Sequence, residues 1–343
     1  MKTKRFNLIV ILCALSVIAS YAKQVETEVI RIEDTTGSME ARWDRGVRQS
    51  QLTEGDFWIG YAYEKMDSDC HFHRGSYEKS LSQLLDLFPG GKRNREMGIL
   101  FLINREKNRP YDARKIELTE MDNGIDLEGK SLVWLGKTDH LSSFELCKKA
   151  FGRMESPDLR GELILAIGTH PHSDASTAFL KEVITKDPSD EVREDAVFWL
   201  ALHDPGSLDF LRNLAFKDRS EELRKKAVFA ISQIPAPEAI DALIELARST
   251  DSEVAKESVF WLGQMASKKA TEHLKNLVWD EAETEIQTQA VFALSQQGGV
   301  DELIEIANTH PNPEVRKKAI FWLGQSKDKK AIEAIISIIR KNG

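Results

Sequence analysis

The sequence predicts an α+β protein of two domains, in which a β-rich N-terminal domain precedes an all-α superhelical solenoid of about six helix pairs. One short motif recurs at a nearly constant spacing through the second half of the chain. Apolar and β-branched runs separated by turns fill the first half. The composition, with 41% hydrophobic and 30% charged residues, is that of folded domains and excludes collagen-like or low-complexity chains.

The first 22 residues have the features of a signal peptide. Three cations, an apolar run over residues 6–20, and the small residues Ser20 and Ala22 follow one another in the order that such a segment requires. The apolar run is shorter than the roughly 20 residues of a membrane span. We therefore expect export to the periplasm or the medium, a mature chain that starts near Lys23, and no stable membrane insertion after cleavage. Its net charge of about −11 argues against nucleic-acid binding.

Residues 23–155 are predicted to form the β-rich domain, which closes with a helix. Apolar or alternating runs predict strands at residues 25–32, 57–63, 98–103, 115–119 and 131–135, and the helix is predicted at residues 142–151. Strands followed by a helix indicate a small sheet or barrel-like module that covers the first repeat of the solenoid.

Two cysteines, Cys70 and Cys147, remain after cleavage. In an oxidising compartment they are candidates for one disulfide, and two buried free thiols are the alternative. His71 and His73 beside Cys70 are the best candidate metal ligands, because alternate residues of a strand point the same way. No second ligand cluster accompanies them in the sequence, so we favour loop polarity or the disulfide. No motif of a nucleophile, phosphate loop or dinucleotide site was found, so we predict no catalytic residue, metal or cofactor.

The recurring motif is a pentapeptide in which a small residue precedes an apolar residue, phenylalanine and two further apolar residues. Its copies begin at residues 196, 227, 258, 290 and 319, so consecutive copies are 31, 31, 32 and 29 residues apart. Val192, Ala196 and Leu200 are spaced by four residues each, which is typical of one face of a helix. A second helical segment follows, as at residues 236–247. Each unit is therefore predicted to be two antiparallel helices that bury their apolar surface by stacking on neighbouring units.

Arginines recur on the apolar side of the motif helix, where an unpaired guanidinium would be costly. Aspartates six residues earlier lie at the preceding turn, so we predict a structural ladder of Asp–Arg contacts between units. Its members are Asp187, Arg193, Asp218, Arg224 and Arg316. Ala255 and Gln287 replace the arginine in two units, where the ladder is predicted to be interrupted.

This Asp-x5-Arg pattern before the motif helix resembles HEAT repeats, particularly the short bacterial type of the phycobilin lyases, over residues 158–343. The resemblance implies an armadillo-like helical array. Residues 125–135 also look like a stretch of exported bacterial HEAT proteins of unknown activity. HEAT arrays serve as scaffolds, as adaptors and in a few enzymes, so the resemblance predicts the fold more strongly than the function.

We interpret the chain as an exported scaffold or adaptor without enzymatic activity, which binds a protein or peptide partner along the groove of its repeats. The alternative is an enzyme or ligand-binding protein with its site in residues 23–155, and bilin attachment is a third option that we do not favour. The recurring aromatic residues are predicted to pack between repeats. The lysine pairs at 225–226 and 317–318 are predicted to be solvated. The acidic total favours a partner with a basic or mixed surface.

Overall fold

The computed structural model describes residues 27–32, 34–52, 55–66, 83, 85, 96–105, 113–265, 267–280 and 283–342. The chain divides into two compact units, Met1–Pro171 and His172–Gly343. The predicted signal peptide lies outside the described residues, and so do Cys70, His71 and His73.

The N-terminal unit is built on a mixed five-stranded sheet. Its strands are β1 Val29–Arg31, β2 Phe57–Glu64, β3 Glu96–Ile103, β4 Ala113–Glu120 and β5 Leu132–Thr138, in the spatial order β1-β5-β2-β3-β4. Strand β5 runs parallel to β1 and β2, whereas β3 runs antiparallel to β2 and β4. Each predicted strand segment overlaps one of these strands, although β1 is shorter than the predicted 25–32, which confirms the β-rich N-terminal region.

Both faces of this sheet are covered, which explains why β2 is apolar along almost its whole length. Trp58 and Ala62 belong to a core with Leu100 on one face. On the other face, Tyr61 contacts the helix α2 (His140–Phe151), which agrees with the predicted closing helix. A further helix, α3 (Pro157–Gly168), follows it.

The helix α1 (Met39–Gln49) was not predicted from the sequence. It is strongly charged and buries only three residues, Met39, Trp43 and Gly46. A Cβ atom at Gly46 would lie 2.6 Å from Cδ2 of Leu135, so glycine is what allows this helix to lie close to β5.

The C-terminal unit is a helical array, which confirms the predicted solenoid. Its described helices are α4 Asp174–Lys186, α5 Asp190–His203, α6 Leu208–Lys217, α7 Glu221–Ser232, α8 Pro237–Leu246, α9 Ser252–Gln264, α10 Lys268–Asp280, α11 Thr284–Gln296, α12 Val300–Thr309, α13 Pro313–Gln325 and α14 Lys329–Asn342. We call α5, α7, α9, α11 and α13, which carry the pentapeptide motif, the aromatic layer. The remaining six helices form the opposite layer.

Four of the five aromatic-layer helices, α5, α7, α9 and α13, begin at capping residues that the turns supply. The Ser189 and Ser220 hydroxyls accept hydrogen bonds from backbone N–H groups of the first turns of α5 and α7. The side chains of Asp251 and Asn312 do the same for α9 and α13. These side chains satisfy N–H groups that have no partner within the helix, so they fix where each helix starts.

The two layers are packed differently. Each aromatic-layer helix lies against the helix that precedes it, and consecutive aromatic-layer helices contact each other along more of their length than consecutive opposite-layer helices do. At Gly263 of α9 an added Cβ would lie 2.7 Å from Cβ of Ala293 in α11. Because the closer-packed layer of a stacked array lies on the inside of its curve, the aromatic layer forms the concave side of this unit.

The opposite layer bridges its wider gaps with exposed ion pairs. These connect consecutive helices from α6 to α14. The pairs are Arg212–Glu245 at 3.2 Å, Lys269–Asp241, Lys275–Glu302 at 2.6 Å and Lys330–Asp301 at 3.1 Å.

Candidate functional site

The phenylalanines and tryptophans of the motif form a continuous ladder of ring contacts across the aromatic layer. Phe198 and Phe229 stack with centroids 6.2 Å apart, and the Phe260 and Phe292 rings stack at 6.3 Å. The Trp261 ring joins these two stacks, with centroids 4.9 Å from Phe229 and 5.1 Å from Phe260. The ladder therefore connects helices that are far apart in the sequence.

Trp322 and Phe321 extend the ladder onto α13. The centroid of Trp322 lies 5.0 Å from that of Phe292 and 5.0 Å from that of Phe321. These rings were predicted to pack between repeats, and their contacts across neighbouring helices agree with that. The five phenylalanines nevertheless stay partly accessible, and Phe321 is 53% exposed. The ladder therefore also presents an aromatic surface.

Two lysines lie over this ladder. The Lys226 ammonium is 5.8 Å from the centroid of Phe229, and that of Lys318 is 5.9 Å from the centroid of Trp322. These distances are within the range of a cation–π interaction. A carboxylate on the same face belongs to Glu257, which accepts a 2.7 Å hydrogen bond from the indole N–H of Trp261.

An open pocket of about 420 Å³ lies at the α13 end of the ladder. Thr288, Glu314, Lys317, Lys318 and Phe321 line it. Lys317 forms a 2.8 Å ion pair with Glu314. Lys317 and Lys318, which were predicted to be solvated, therefore also line a concavity beside the most exposed ring.

The predicted Asp–Arg ladder can be followed residue by residue. Arg193 pairs with Asp218 of the next unit and donates from Nε to the Ile184 carbonyl oxygen at 2.6 Å. In the following unit, Arg224 pairs with Asp251 at 2.7 Å and also donates to the Asp218 carbonyl oxygen at 2.8 Å. These arginines thus connect successive turns between helices.

The other ladder residues have local partners. Arg316 donates to the carbonyl oxygens of His310 and Pro311 at 2.6 and 2.8 Å. Asp187 accepts a 2.9 Å hydrogen bond from the backbone N–H of Ser189. The ladder was predicted to be interrupted where Ala255 and Gln287 stand.

Next to Ala255, Lys256 joins two helices of the aromatic layer. Its ammonium lies 2.6 Å from Glu253 in its own helix, α9, and 2.9 Å from Glu285 in α11. Hydrogen bonds to these two carboxylates raise the pKa of Lys256. An ion pair at an adjacent position therefore connects α9 and α11.

The N-terminal unit contains an enclosed polar network that the sequence analysis missed. The Ser143 hydroxyl lies 3.1 Å from the Tyr61 hydroxyl and 2.7 Å from Nε2 of His170. The His170 ring stacks on Tyr63 at 4.3 Å, and Cys147 Sγ lies 3.6 Å from the Tyr61 hydroxyl. Tyr61 and Tyr63 lie on one strand, and Ser143 and Cys147 lie one turn apart on α2. These two pairs and His170 are far apart in the sequence, so no motif spacing groups them.

Burial keeps the thiol and the phenol groups of this network protonated at neutral pH. It raises the pKa of the Cys147 thiol to about 11 and raises the pKa of both tyrosines. The thiol is therefore protonated and a poor nucleophile. Tyr61, Ser143 and Cys147 are 0% exposed and His170 is 1% exposed, so a substrate would reach them only if the unit opened. Because Cys70 lies outside the described residues, its pairing with Cys147 stays a prediction.

The described residues contain neither a cluster of metal ligands nor a helix suited to a membrane. Over the ranges given above, no group of three or more histidine, cysteine or acidic side chains is arranged to hold a metal ion. Within that same part of the chain, no helix is long and apolar enough to cross a membrane.

The fold and the ladder define a class, an α-helical repeat protein with an aromatic concave face. Residues 208–295 match the family model described as HEAT repeats, and residues 315–340 match the one described as PBS lyase HEAT-like repeat. These two segments of the C-terminal unit are therefore HEAT repeats, which confirms the resemblance seen in the sequence. No curated protein sequence matches the chain.

Solved structures with a similar arrangement include three of different origin. YibA of E. coli is 18% identical, with 59% of this chain and 76% of that chain covered and a TM-score of 0.37. A designed armadillo repeat protein in complex with the peptide (KR)4 is 24% identical, with 56% and 93% covered and a TM-score of 0.29. The CpcE–CpcF complex of phycocyanin lyase from Nostoc sp. PCC7120 is 18% identical, with 54% and 99% covered and a TM-score of 0.26.

Proposed function

We propose that this protein is a non-catalytic scaffold that binds a protein or peptide partner on the aromatic layer of its HEAT repeats. The observation that carries the proposal is the ring ladder, which runs without a break from Phe198 to Phe321 while its phenylalanines stay partly accessible. Packing between repeats would be satisfied by fully buried rings. Partly exposed aromatic residues in a row, with lysines above them, are instead typical of binding surfaces.

We further propose that the protein works outside the cytoplasm, in the periplasm or in the medium. The support is the order of charge, apolar run and small residues in the first 22 positions. N-terminal sequencing of native protein should return a start near Lys23. A cytosolic protein that retains Met1 would contradict this part of the proposal.

The binding face can be tested by charge reversal with a matched control. Lys317→Glu with Lys318→Glu replaces two positive charges beside the exposed ring of the ladder by two negative ones, a net change of −4. Lys217→Glu with Lys268→Glu makes the same change in net charge on the opposite layer, where both lysines are exposed. The wild type and the control variant should capture the same partners from an envelope fraction. The variant with Lys317→Glu and Lys318→Glu should not capture them.

The affinity of a captured partner would then be measured with purified components by titration calorimetry. We expect the loss to exceed tenfold for the aromatic-layer variant and to stay within about twofold for the control, because exposed charges act mainly on nearby groups. Equal affinities for the two double variants would contradict binding through this face. Turnover of a substrate by purified wild-type protein would contradict the non-catalytic part and favour the alternative of an enzyme.

A further inference from the structure

The motif helices are of two types that alternate along the aromatic layer. The fourth residue of the pentapeptide is tryptophan in α5, α9 and α13 and alanine in α7 and α11. The residue directly after the pentapeptide alternates with it, and is alanine or glycine in the tryptophan-type helices but serine in the alanine-type helices. These residues are Ala201, Gly263 and Gly324 in the first type and Ser232 and Ser295 in the second.

The junction from a tryptophan-type helix to the next alanine-type helix has a recurring geometry. Between α9 and α11, Gly263 leaves the space that Ala293 occupies. The Phe260 and Phe292 rings of these helices stack at 6.3 Å, and the corresponding phenylalanines of α5 and α7 stack at 6.2 Å. At the opposite kind of junction, a tryptophan contacts the phenylalanine instead. A small residue beside a stacking phenylalanine is thus the surface that accepts an alanine-type helix.

Helix α13 is of the tryptophan type and has this surface uncovered. It is the last aromatic-layer helix among the described residues. Nothing lies within 4 Å of a Cβ added at Gly324, which stands at the motif position of Gly263. Phe321 is 53% exposed, whereas Phe198 and Phe260, which stack on the next helix, are half-buried. The outer side of α13 therefore has the residues of an interior junction.

Helix α14 extends this uncovered surface with apolar side chains. Ile332, Ile336 and Ile339 are 52%, 44% and 65% exposed. Ile339 lies twenty residues after the start of its pentapeptide, and at the same distance in two interior repeats Ala247 and Val278 are 1% and 0% exposed. Terminal repeats of such arrays ordinarily have a polar outer face. Three exposed isoleucines instead indicate a surface that another helix pair covers.

The charges on α13 specify what that helix pair carries. Lys317 stands at the motif position of Lys256, two residues before the pentapeptide. Lys256 pairs with Glu253 of its own helix at 2.6 Å and with Glu285 of the next, alanine-type helix at 2.9 Å. Lys317 has the first of these pairs, with Glu314 at 2.8 Å. A carboxylate at the position of Glu285 in the covering helix would complete the second.

Arg316 adds a second charge requirement. Arg193 of the tryptophan-type helix α5 pairs with Asp218, which lies in the turn before the alanine-type helix α7. Arg316 stands at the same motif position as Arg193 and donates to the backbone carbonyl oxygens of its own turn. An aspartate in the turn before the covering helix would therefore meet the Arg316 guanidinium.

A second copy of this chain does not offer such a helix. Its alanine-type helices, α7 and α11, each lie between two tryptophan-type helices and are covered on both sides. Its α13 is of the same type as the surface to be covered, so a tryptophan would replace the alanine that fits beside glycine. The alternation therefore favours a helix pair that belongs to a different polypeptide.

We infer that the uncovered end of the α13–α14 repeat binds an alanine-type HEAT helix pair of a partner protein. The partner places an alanine beside Gly324, a phenylalanine on Phe321, and two acidic side chains next to Arg316 and Lys317. Its second helix covers the exposed isoleucines of α14. We call this region the end surface; it consists of Arg316, Lys317, Phe321, Gly324, Ile332, Ile336 and Ile339. The inference goes beyond the proposed function, which concerns the open face of the ring ladder.

The test uses the full mature chain and a labelled synthetic peptide, with fluorescence anisotropy as the readout. The peptide reproduces residues 218–247, an alanine-type repeat of this chain, and a control peptide differs from it only by Ala230→Trp. The first peptide should bind at least about tenfold more tightly, because a tryptophan does not fit the space beside Gly324. Equal affinities, or no binding of either peptide, would overturn the inference.

The matching protein variant is Gly324→Leu. Nothing lies within 4 Å of this position, so the variant should fold, and its leucine would fill the space meant for the partner's alanine. The control is Asn213→Leu, which places the same side chain at an exposed position of α6 in the opposite layer. Gly324→Leu should weaken binding of the first peptide at least about tenfold and the control less than about twofold, with circular dichroism showing both folded. Unchanged binding by Gly324→Leu would overturn the inference.

Charge exchange tests the orientation of the bound helix. Glu222 of the peptide stands at the motif position of Glu285. Glu222→Lys should lower the affinity for the wild-type chain about fivefold, which is the effect of one exposed ion pair, and Lys317→Glu in the chain should restore most of it. A loss that Lys317→Glu does not restore would overturn the placement of the acidic side chain beside Lys317.

Sedimentation velocity of the chain alone tests the other occupant of the end surface. Wild type and Gly324→Leu should have the same sedimentation coefficient. A wild-type dimer that Gly324→Leu dissociates would show that a second copy covers the end surface, and the inference would be wrong. Gly324→Leu leaves Lys317 and Lys318 in place, so its effect can be distinguished from that of the charge reversal used to test the proposed function.

Discussion

Two glycines at the same repeat position should respond in opposite ways to the same substitution. Gly263 in α9 and Gly324 in α13 each follow the motif phenylalanine by three residues. At Gly263 an added Cβ would lie 2.7 Å from Cβ and 2.9 Å from Cα of Ala293, whereas nothing lies within 4 Å of the equivalent point at Gly324. Both glycines lie at the same position of the motif helix, but only Gly263 has a neighbouring helix, α11, within contact distance of the added Cβ.

Gly263→Ala should therefore lower the free energy of unfolding by about 1–3 kcal/mol. The clashing atoms of Ala293 are its Cα and Cβ, which cannot shift unless the packed helix α11 shifts as a whole. Gly324→Ala should leave stability unchanged or raise it by up to about 1 kcal/mol through the better helix propensity of alanine. Urea unfolding followed by circular dichroism gives both values. A loss of similar size in the two variants would refute the close approach of α9 and α11.

Three further predictions concern the core, the arginine ladder and a helix cap. Leu262 is 0% exposed, so Leu262→Ala should lower the free energy of unfolding by about 2–5 kcal/mol in the same assay, and a loss below about 1 kcal/mol would contradict its burial. Arg193→Ala should lower the free energy of unfolding by about 3–5 kcal/mol, because the Asp218 carboxylate, whose side chain is 10% exposed, loses its partner. A double-mutant cycle should show coupling between Arg193 and Asp218. Hydrogen bonds from the backbone N–H and hydroxyl of Ser142 hold the pKa of Asp139, which caps α2, below its usual value of 3.8. The ionised cap therefore stabilises the fold above about pH 4, and this stabilisation is lost as the pH falls through the folded pKa of Asp139. Asp139→Ala should lower the free energy of unfolding by about 0.5–2 kcal/mol at pH 7 and by less at pH 3. A loss of stability that does not depend on pH would contradict this.

The repeated motif was sufficient to predict the helical array, because a stripe such as Val192, Ala196 and Leu200 has helical periodicity and recurs at one spacing. The strands were predictable for a related reason, since segments such as Phe57–Glu64 are apolar over the length of one strand. Helix α1 was not predictable in the same way. It buries one narrow stripe, and its glycine would ordinarily argue against a helix.

The binding face was only partly predictable. Phenylalanine recurrence indicates packing between repeats, but it does not reveal that Phe321 is half exposed, because exposure depends on which neighbouring rings cover it. The arginine pattern placed Arg193 on the apolar side of its helix but could not determine that Arg316 would donate to backbone carbonyls.

The ion pairs of the opposite layer make the mechanical stiffness of the array depend on salt. The concave side is held by buried contacts such as those around Gly263, which change little with ionic strength. The convex side is bridged by exposed pairs such as Arg212–Glu245, each worth about 0–1 kcal/mol and screened over roughly 8 Å at physiological salt. Bending that opens the convex gaps therefore meets a restoring force that weakens as salt rises, whereas sliding along the concave side does not. The bending stiffness of the array should therefore fall as the salt concentration rises, because only the contacts of the opposite layer weaken.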